Sequence, residues 1–190
     1  MDYTVRPYTE ADRDAVHLVC MATAEHRVRS ESRRLFLLRT TCDYYLDNEP
    51  ENCFVAEKTL EDGSSRVVGY IVCAADCEAY ARRFRDRILP KIKEYSKMYA
   101  RVARADVLMY GQFAMFFPAH LRLAVLPEDR RKGVGTALVE ALTAHLRENR
   151  SKGVVVILNK KNSIGKTFFL QRGFSALRPI GSGFALGLDF

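Results

Sequence analysis

No stretch of this chain approaches the run of about eighteen apolar residues that a membrane-spanning helix needs. The opening Met1-Asp-Tyr-Thr-Val-Arg6 also lacks the apolar core of a secretory signal, so the expectation is a cytoplasmic protein with no membrane partner. Zinc-type spacing is missing among the five cysteines. They stand at positions 20, 42, 53, 73 and 77, and the Cys73/Cys77 pair has no second pair to complete four ligands. All five read as reduced thiols, with no metal site. Internal repeats, low-complexity tracts and linker-like stretches are absent too, and 190 residues suit one well-buried domain spanning 1–190. Two familiar phosphate loops are excluded by spacing. No G-x-x-x-x-G-K-[ST] occurs, and the Gly133-Val-Gly135 pair lacks the third glycine of a dinucleotide fingerprint.

The composition that remains, 48% apolar and 28% charged, is that of a folded globular domain. Its net charge of +7 is concentrated. Residues 78–104 carry Arg82, Arg83, Arg85, Arg87, Lys91, Lys93, Lys97, Arg101 and Arg104 against Glu78, Asp86 and Glu94, which is nearly the whole imbalance. In the same segment Tyr80, Phe84, Ile88, Ile92, Tyr95, Tyr99 and Val102 recur at helical spacing, predicting one apolar and one cationic face. Pro90 does not fit inside an unkinked helix, so two pieces are expected, 78–88 and 90–104.

Elsewhere, Thr4-Val5-Arg6 reads as an edge strand, and Thr9 to Asp12 as a capping box opening a helix with Val16, Val19 and Cys20 inward. A second helix fits 32–46. Residues 53–57 and 67–73 read as hairpin strands, 120–125 as the central strand, and 154–158 as a strand covered on both faces. Helices are expected over 135–149 and 162–172, with Phe174 and 184–188 in closing strands.

One stretch carries chemistry. After the apolar Leu121, Leu123 and Val125, Pro127 ends regular pairing, and Arg130, Arg131 and Lys132 lead into Gly133, Gly135 and the helical pattern Leu138, Leu142, Leu146. Backbone N–H groups at a helix start have no partner within the helix, and the helix dipole adds partial positive charge there. Glycines let the main chain close around a ligand. Three cations beside such a turn make a seat for a pyrophosphate, although the same residues also fit a plain strand-to-helix bend.

Arg130-Arg-Lys-Gly133-Val-Gly135 after Val125-Leu-Pro127 resembles [QR]-x-x-G-x-[GA], the acyl-CoA pyrophosphate loop of the GCN5-related N-acetyltransferases, the GNAT superfamily. Downstream, Asn162, the apolar helix Ile164 to Leu170 and Gly173-Phe174 resemble that family's N-x-x-A-x-x-F-Y-x-x-x-G-F segment. A fainter likeness links Phe117-Pro-Ala-His-Leu-Arg-Leu-Ala-Val-Leu-Pro127 to the YPAHLHIDVLP of bacterial relatives of the acetyltransferase-like domain of O-GlcNAc hydrolases.

The family resemblance implies a GNAT-like α/β fold. That fold has a mixed, mostly antiparallel central sheet flanked by helices, here with a basic helical insertion, 78–105, between the third and fourth strands. It implies acetyl-CoA as co-substrate and transfer of its acetyl group to a primary amine by direct attack in a ternary complex. The residues it assigns to the donor are Leu123, Ala124 and Val125 along the pantetheine arm, then Arg130, Arg131, Lys132, Gly133, Val134, Gly135 and Thr136 around the pyrophosphate. Asn162, Lys166 and Phe169 follow on the next helix. Asn162 equally fits a helix N-cap.

Two departures stand out. Phe168-Phe169 occupy the place of the family's F-Y, so the usual general-acid tyrosine is replaced by Phe169. The H-L-H-I-D of the fainter likeness has become His120-Leu-Arg122-Leu-Ala124, with a carboxylate lost and a cation gained. His120 is the first candidate to take the amine's proton, because histidine alone titrates near neutrality unassisted. Asp106 and Tyr110 are the alternatives, while His17, His26 and His145 sit in ordinary helical settings. The cationic face of 78–104 has three readings: a solvated surface, a lid attracting an anionic acceptor or the donor's phosphates, and nucleic-acid binding. The last is disfavoured because no stacking surface accompanies the charge. The acceptor amine belongs to a small molecule or a peptide, with an anionic group and a homodimer both left open. The competing function is an acyl-CoA-binding sensor or interaction module with weak catalysis.

Overall fold

The computed structural model describes residues 3–25, 28–181 and 183–190, so His26 and Ser182 lie outside it. Seven strands form one sheet: β1 (Tyr3–Pro7), β2 (Cys53–Thr59), β3 (Ser65–Ala74), β4 (Ala119–Val125), β5 (Gly153–Asn159), β6 (Ser175–Ile180) and β7 (Gly183–Asp189). Their order is β1-β2-β3-β4-β5-β7-β6, and every neighbouring pair is antiparallel except β4 and β5. This is the mixed, mostly antiparallel α/β architecture expected. β1 to β3 are joined through α1 (Arg13–Ala22), α2 (Glu31–Leu38), α3 (Tyr44–Asn48) and a hairpin turn at Gly63. Between β3 and β4 come α4 (Cys77–Arg83), α5 (Leu89–Tyr95) and α6 (Lys97–Gly111); α7 (Val134–Glu148) and α8 (Ser163–Leu170) follow β4 and β5.

The period-two alternation of β4 divides the core. Leu121 and Val125 pack with Leu138, Leu142 and Leu146 of α7, whereas Ala124 packs on the cluster built by α1 to α6, which includes Tyr45, Tyr80, Phe84 and Tyr110. Each large apolar side chain fully withdrawn from water contributes about 1.5–3 kcal/mol, so each helical layer is held chiefly by its inward stripe. All five cysteines are buried free thiols. Among the described residues no helix is long and apolar enough to cross a membrane, and no cluster of three or more His, Cys, Asp or Glu could hold a metal.

Two helix boundaries differ from the periodicity. The second helix is interrupted by a π-helical turn over Arg39–Asp43, where the Thr40 hydroxyl bonds back to the Phe36 carbonyl at 2.8 Å and competes with the regular ladder. In the basic segment the chain stays helical through Pro90, because a π-helical turn over Phe84–Ile88 precedes it and shifts the bonding pattern where proline has no N–H to give. The break falls at Ser96 instead. Its extended backbone (φ −162°, ψ 110°) and its Oγ, accepting from Tyr99 N at 3.1 Å, cap α6. Helix therefore runs to Gly111, past the expected 104, and carries Asp106 and Tyr110 on α6.

Candidate active site

β4 and β5 pair over only two positions, Ala119 with Val154 and His120 with Val155. Beyond them the strands part, and a wedge opens toward the carboxyl end of β4. Leu126 N donates to Val68 O at 2.9 Å, so alternation along the antiparallel pair turns the backbone groups of Leu121, Leu123 and Val125 toward the wedge. A sheet edge with free N–H and C=O groups can add one more extended chain. Ala124 instead turns its backbone to β3. The Val125 carbonyl accepts from Arg130 Nε at 3.0 Å, so Arg130 is folded back onto the strand it follows.

At the mouth of the wedge the chain turns into α7. Asp129, fully buried, anchors this turn: Tyr3 Oη donates to it at 2.9 Å, and the amino or guanidinium groups of Lys58, Arg66 and Lys132 lie 3.6, 3.6 and 3.8 Å away. Arg131 (φ 60°) and Gly133 (φ 85°) are both left-handed, an arrangement that aims successive N–H groups into one concavity. Gly133 is the N-cap of α7 with no side-chain cap, which leaves the first N–H groups of the helix, from Val134 to Thr136, for a ligand.

The two glycines do different jobs. A Cβ on Gly133 would meet nothing within 4 Å, so its requirement is the positive φ, whereas one on Gly135 would stand 3.2 Å from the Phe168 ring. Gly135 thus lets α8 approach α7. Arg172 completes that contact, with its guanidinium 3.7 Å over the Phe168 ring, Nη1 donating to Phe168 O at 2.8 Å and Nε to Thr136 Oγ1 at 3.0 Å. On α8, Asn162 Oδ1 accepts from Gly165 N at 2.8 Å as an N-cap, and exposed Lys166 lies 5.0 Å over the Phe184 ring. Phe169 is buried edge-on against Phe174 and Phe168.

The helical side of β4 gathers the three acid–base candidates into one cluster. His120 is fully buried, stacked on Tyr110 at 3.9 Å between centroids, with Nε2 2.9 Å from Tyr45 Oη and Nδ1 3.4 Å from Cys77 Sγ. Arg122 Nε donates to that same Tyr45 oxygen at 3.1 Å, and its Nη2 pairs with Asp106. A guanidinium only donates, so the Tyr45 oxygen accepts from Arg122 while it also bonds His120 Nε2. Burial, with Arg122 adding to it, pushes the imidazole well below its usual range, so it is neutral; burial also pushes the Cys77 thiol up to about 12 and the Tyr110 hydroxyl higher still. Asp106 and Arg122 alone stay partly open, at 29% and 21% side-chain exposure. Of the other histidines, His17 Nε2 lies 2.7 Å from Asp43 and His145 Nε2 2.9 Å from Asn52.

A strand splayed from its parallel neighbour, beside a glycine-shaped helix N-terminus, suits an extended ligand that carries a diphosphate. Residues 49–176 match the family model described as an acetyltransferase (GNAT) domain. The chain belongs to the GNAT family. GNAT acetyltransferases use acetyl-CoA, which is the co-substrate here, and the loop fits it because the space above Gly133 is open. SsHAT shares the fold over 100% of this chain and 98% of its own (TM-score 0.85, 24% identity). So do a PaiA N-acetyltransferase of Thermoplasma acidophilum in complex with coenzyme A (0.64, 16%) and a Drosophila melanogaster polyamine N-acetyltransferase (0.67, 15%), each over 100% of both chains. No curated protein matches the chain in sequence. Residues that sequence reasoning passed over are Arg172, Asp129 and Tyr45. Only Arg172 had a local signal, as the residue before the Gly173-Phe174 motif.

Proposed function

We propose that this GNAT protein moves the acetyl group of acetyl-CoA directly to a primary amine in a ternary complex. The observation that carries the proposal is the two-residue pairing of β4 with β5, which frees the Leu123 and Val125 backbone beside the α7 N-terminus. In this assignment Leu123 and Val125 N–H hold the donor's arm as an added strand. The amides of Gly133 to Thr136 take the pyrophosphate, with Arg131 and Lys132 adding charge. The helix N-terminus contributes roughly 0.3–1 kcal/mol to an exposed anion and up to ~2 when partly buried. Asn162 and Phe169 bound the donor from α8, and Lys166 and Arg130 lie at its rim.

The amine nitrogen attacks the thioester carbonyl, a C–N bond forms, the C–S bond breaks, and the thiolate leaves while the amine's proton passes to water. Asp106 is the carboxylate that accepts a hydrogen bond from the attacking amine. His120 and Tyr110, sealed beneath it, act through Tyr45 and Arg122 to hold Asp106 in place. With Phe169 in the acid position the leaving thiolate takes its proton from solvent, which forgoes the ~10²–10⁴-fold help typical of a placed acid.

That same absence favours a second reading, an acyl-CoA-binding module with little turnover. Thiol release from acetyl-CoA with a panel of primary amines separates the two. Turnover above the amine-free rate supports the transferase, and tight coenzyme A binding without turnover supports the module.

A further inference from the structure

The position of α6 fixes what an acceptor meets beside the wedge. Tyr110 stacks on His120 and Asp106 pairs with Arg122, so the helix runs along β4 in the opposite direction. Its far end reaches the closing hairpin. Met109 Sδ stands 3.2 Å from where a Gly181 side chain would begin, and Gln112 Oε1 accepts from Arg178 Nη2 at 2.7 Å. Because β5 stands between β4 and β7, α6 crosses the helical side of the wedge.

Helical geometry then sorts the side chains. At about 100° per residue, Tyr99, Val102 and Met109 fall within about 60° of Asp106, whereas Lys97, Arg101 and Arg104 fall about 140–180° away. The cations of this helix therefore point away from the wedge, and the flank beside Asp106 is apolar. Val102 is 51% exposed there, one helical turn before Asp106, and Met109 is half-buried. Ala124 and Ile157, also half-buried, extend the same surface from β4 and β5.

Three guanidiniums border this wall: Arg122, Arg33, which lies 5.9 Å over the Tyr99 ring, and Arg178, held by Gln112. Arg122 is engaged by Tyr45 and Asp106, and Asp106 keeps its Oδ1 without a hydrogen-bond partner among the described residues. The other carboxylate at this end, Glu25, is exposed and accepts from Asn159 Nδ2 at 3.5 Å. Resting on the transferase reading above, we infer that the acceptor is a monoamine on an apolar body, an aralkyl- or alkylamine. Asp106 Oδ1 holds its nitrogen, and its apolar part lies along Val102 toward Tyr99, on the amino-terminal side of Asp106. An acidic acceptor meets a paired arginine on this wall, and a polyamine meets one available carboxylate oxygen where it needs several.

Calorimetric titration of the coenzyme A-saturated protein with 2-phenylethylamine, spermidine and glutamate reads acceptor binding without turnover. 2-Phenylethylamine is expected to bind at least about tenfold more tightly than either comparator. Asp106→Asn is expected to weaken it about tenfold while coenzyme A affinity stays the same. Val102→Glu, at an open position that tolerates the change, is expected to narrow its lead over spermidine by on the order of tenfold. Tighter spermidine or glutamate binding, or a 2-phenylethylamine affinity indifferent to both substitutions, overturns the inference. Thiol release keeps the two claims apart. Binding as expected without acetyl transfer removes the transferase and leaves the ligand class standing, whereas preferred transfer to spermidine or glutamate keeps the transferase and removes the class.

Discussion

Replacing His120 by Gln tests whether this imidazole is a sealed structural group. The side chain has no exposure, both ring nitrogens are engaged, and Arg122 lies across the shared Tyr45 hydroxyl. A second proton would place a cation in a site without water and beside the Arg122 guanidinium. The folded pKa is therefore depressed below the unfolded value of about 6.5. Below that pH the unfolded chain takes up a proton that the folded chain refuses, so stability falls as pH falls. The slope approaches 1.36 kcal/mol per pH unit, or about 2 kcal/mol between pH 6.5 and 5, while the folded group stays neutral. For a domain of this size that is a Tm change of about 4–8 °C.

Glutamine keeps one acceptor and one donor group for Tyr45 and Cys77 but does not titrate. Glu49, a second buried group whose carboxyl is pushed up by burial, is common to both proteins and cancels in the difference. Urea unfolding of wild type and His120→Gln at several pH values measures the gap. The variant should be less stable near neutrality, having lost the stack on Tyr110, and the gap should narrow by about 2 kcal/mol on going to pH 5. A gap that stays constant with pH would refute the sealed, neutral imidazole.

Gly133→Ala should cost about 1 kcal/mol from its positive φ alone, because a Cβ there meets no neighbour, and should weaken coenzyme A binding without further loss of fold; unfolding and calorimetry check both. Arg172→Ala removes the contact over Phe168 and the bonds to Thr136, about 1–2 kcal/mol at a half-buried site, and should raise the KM for acetyl-CoA more than it lowers kcat. Phe169→Tyr adds a hydroxyl at the proposed acid position and should raise kcat at saturating donor by up to ~10²-fold. An equal or lower kcat in that variant contradicts the assigned role of the position.

Much of the fold was legible because most elements follow simple rules. The alternation of Leu121, Leu123 and Val125 and the α7 stripe Leu138, Leu142, Leu146 both occupy the core cluster they imply. The misplaced break at Pro90 has a clear cause: a π-helical turn leaves no mark on hydrophobic spacing, and the Ser96 cap is a single residue in a polar stretch. Site chemistry was less legible. His120, Asp106 and Tyr110 stood out as titratable residues and do meet in space, but burial separates their roles, and burial depends on α3, α4 and α6 folding over β4. Tyr45, which links His120 to Arg122, lies in an apolar helical pattern where nothing distinguishes it from a packing residue.

Titration of the protein with coenzyme A, in parallel with Gly133→Ala and at two salt concentrations, bears most directly on the claim that the α7 N-terminus holds the donor's diphosphate. Saturable heat at one site per chain, weaker in the variant and weaker at high salt, is the expected result. No heat with millimolar coenzyme A, or binding that neither substitution nor salt changes, would contradict it.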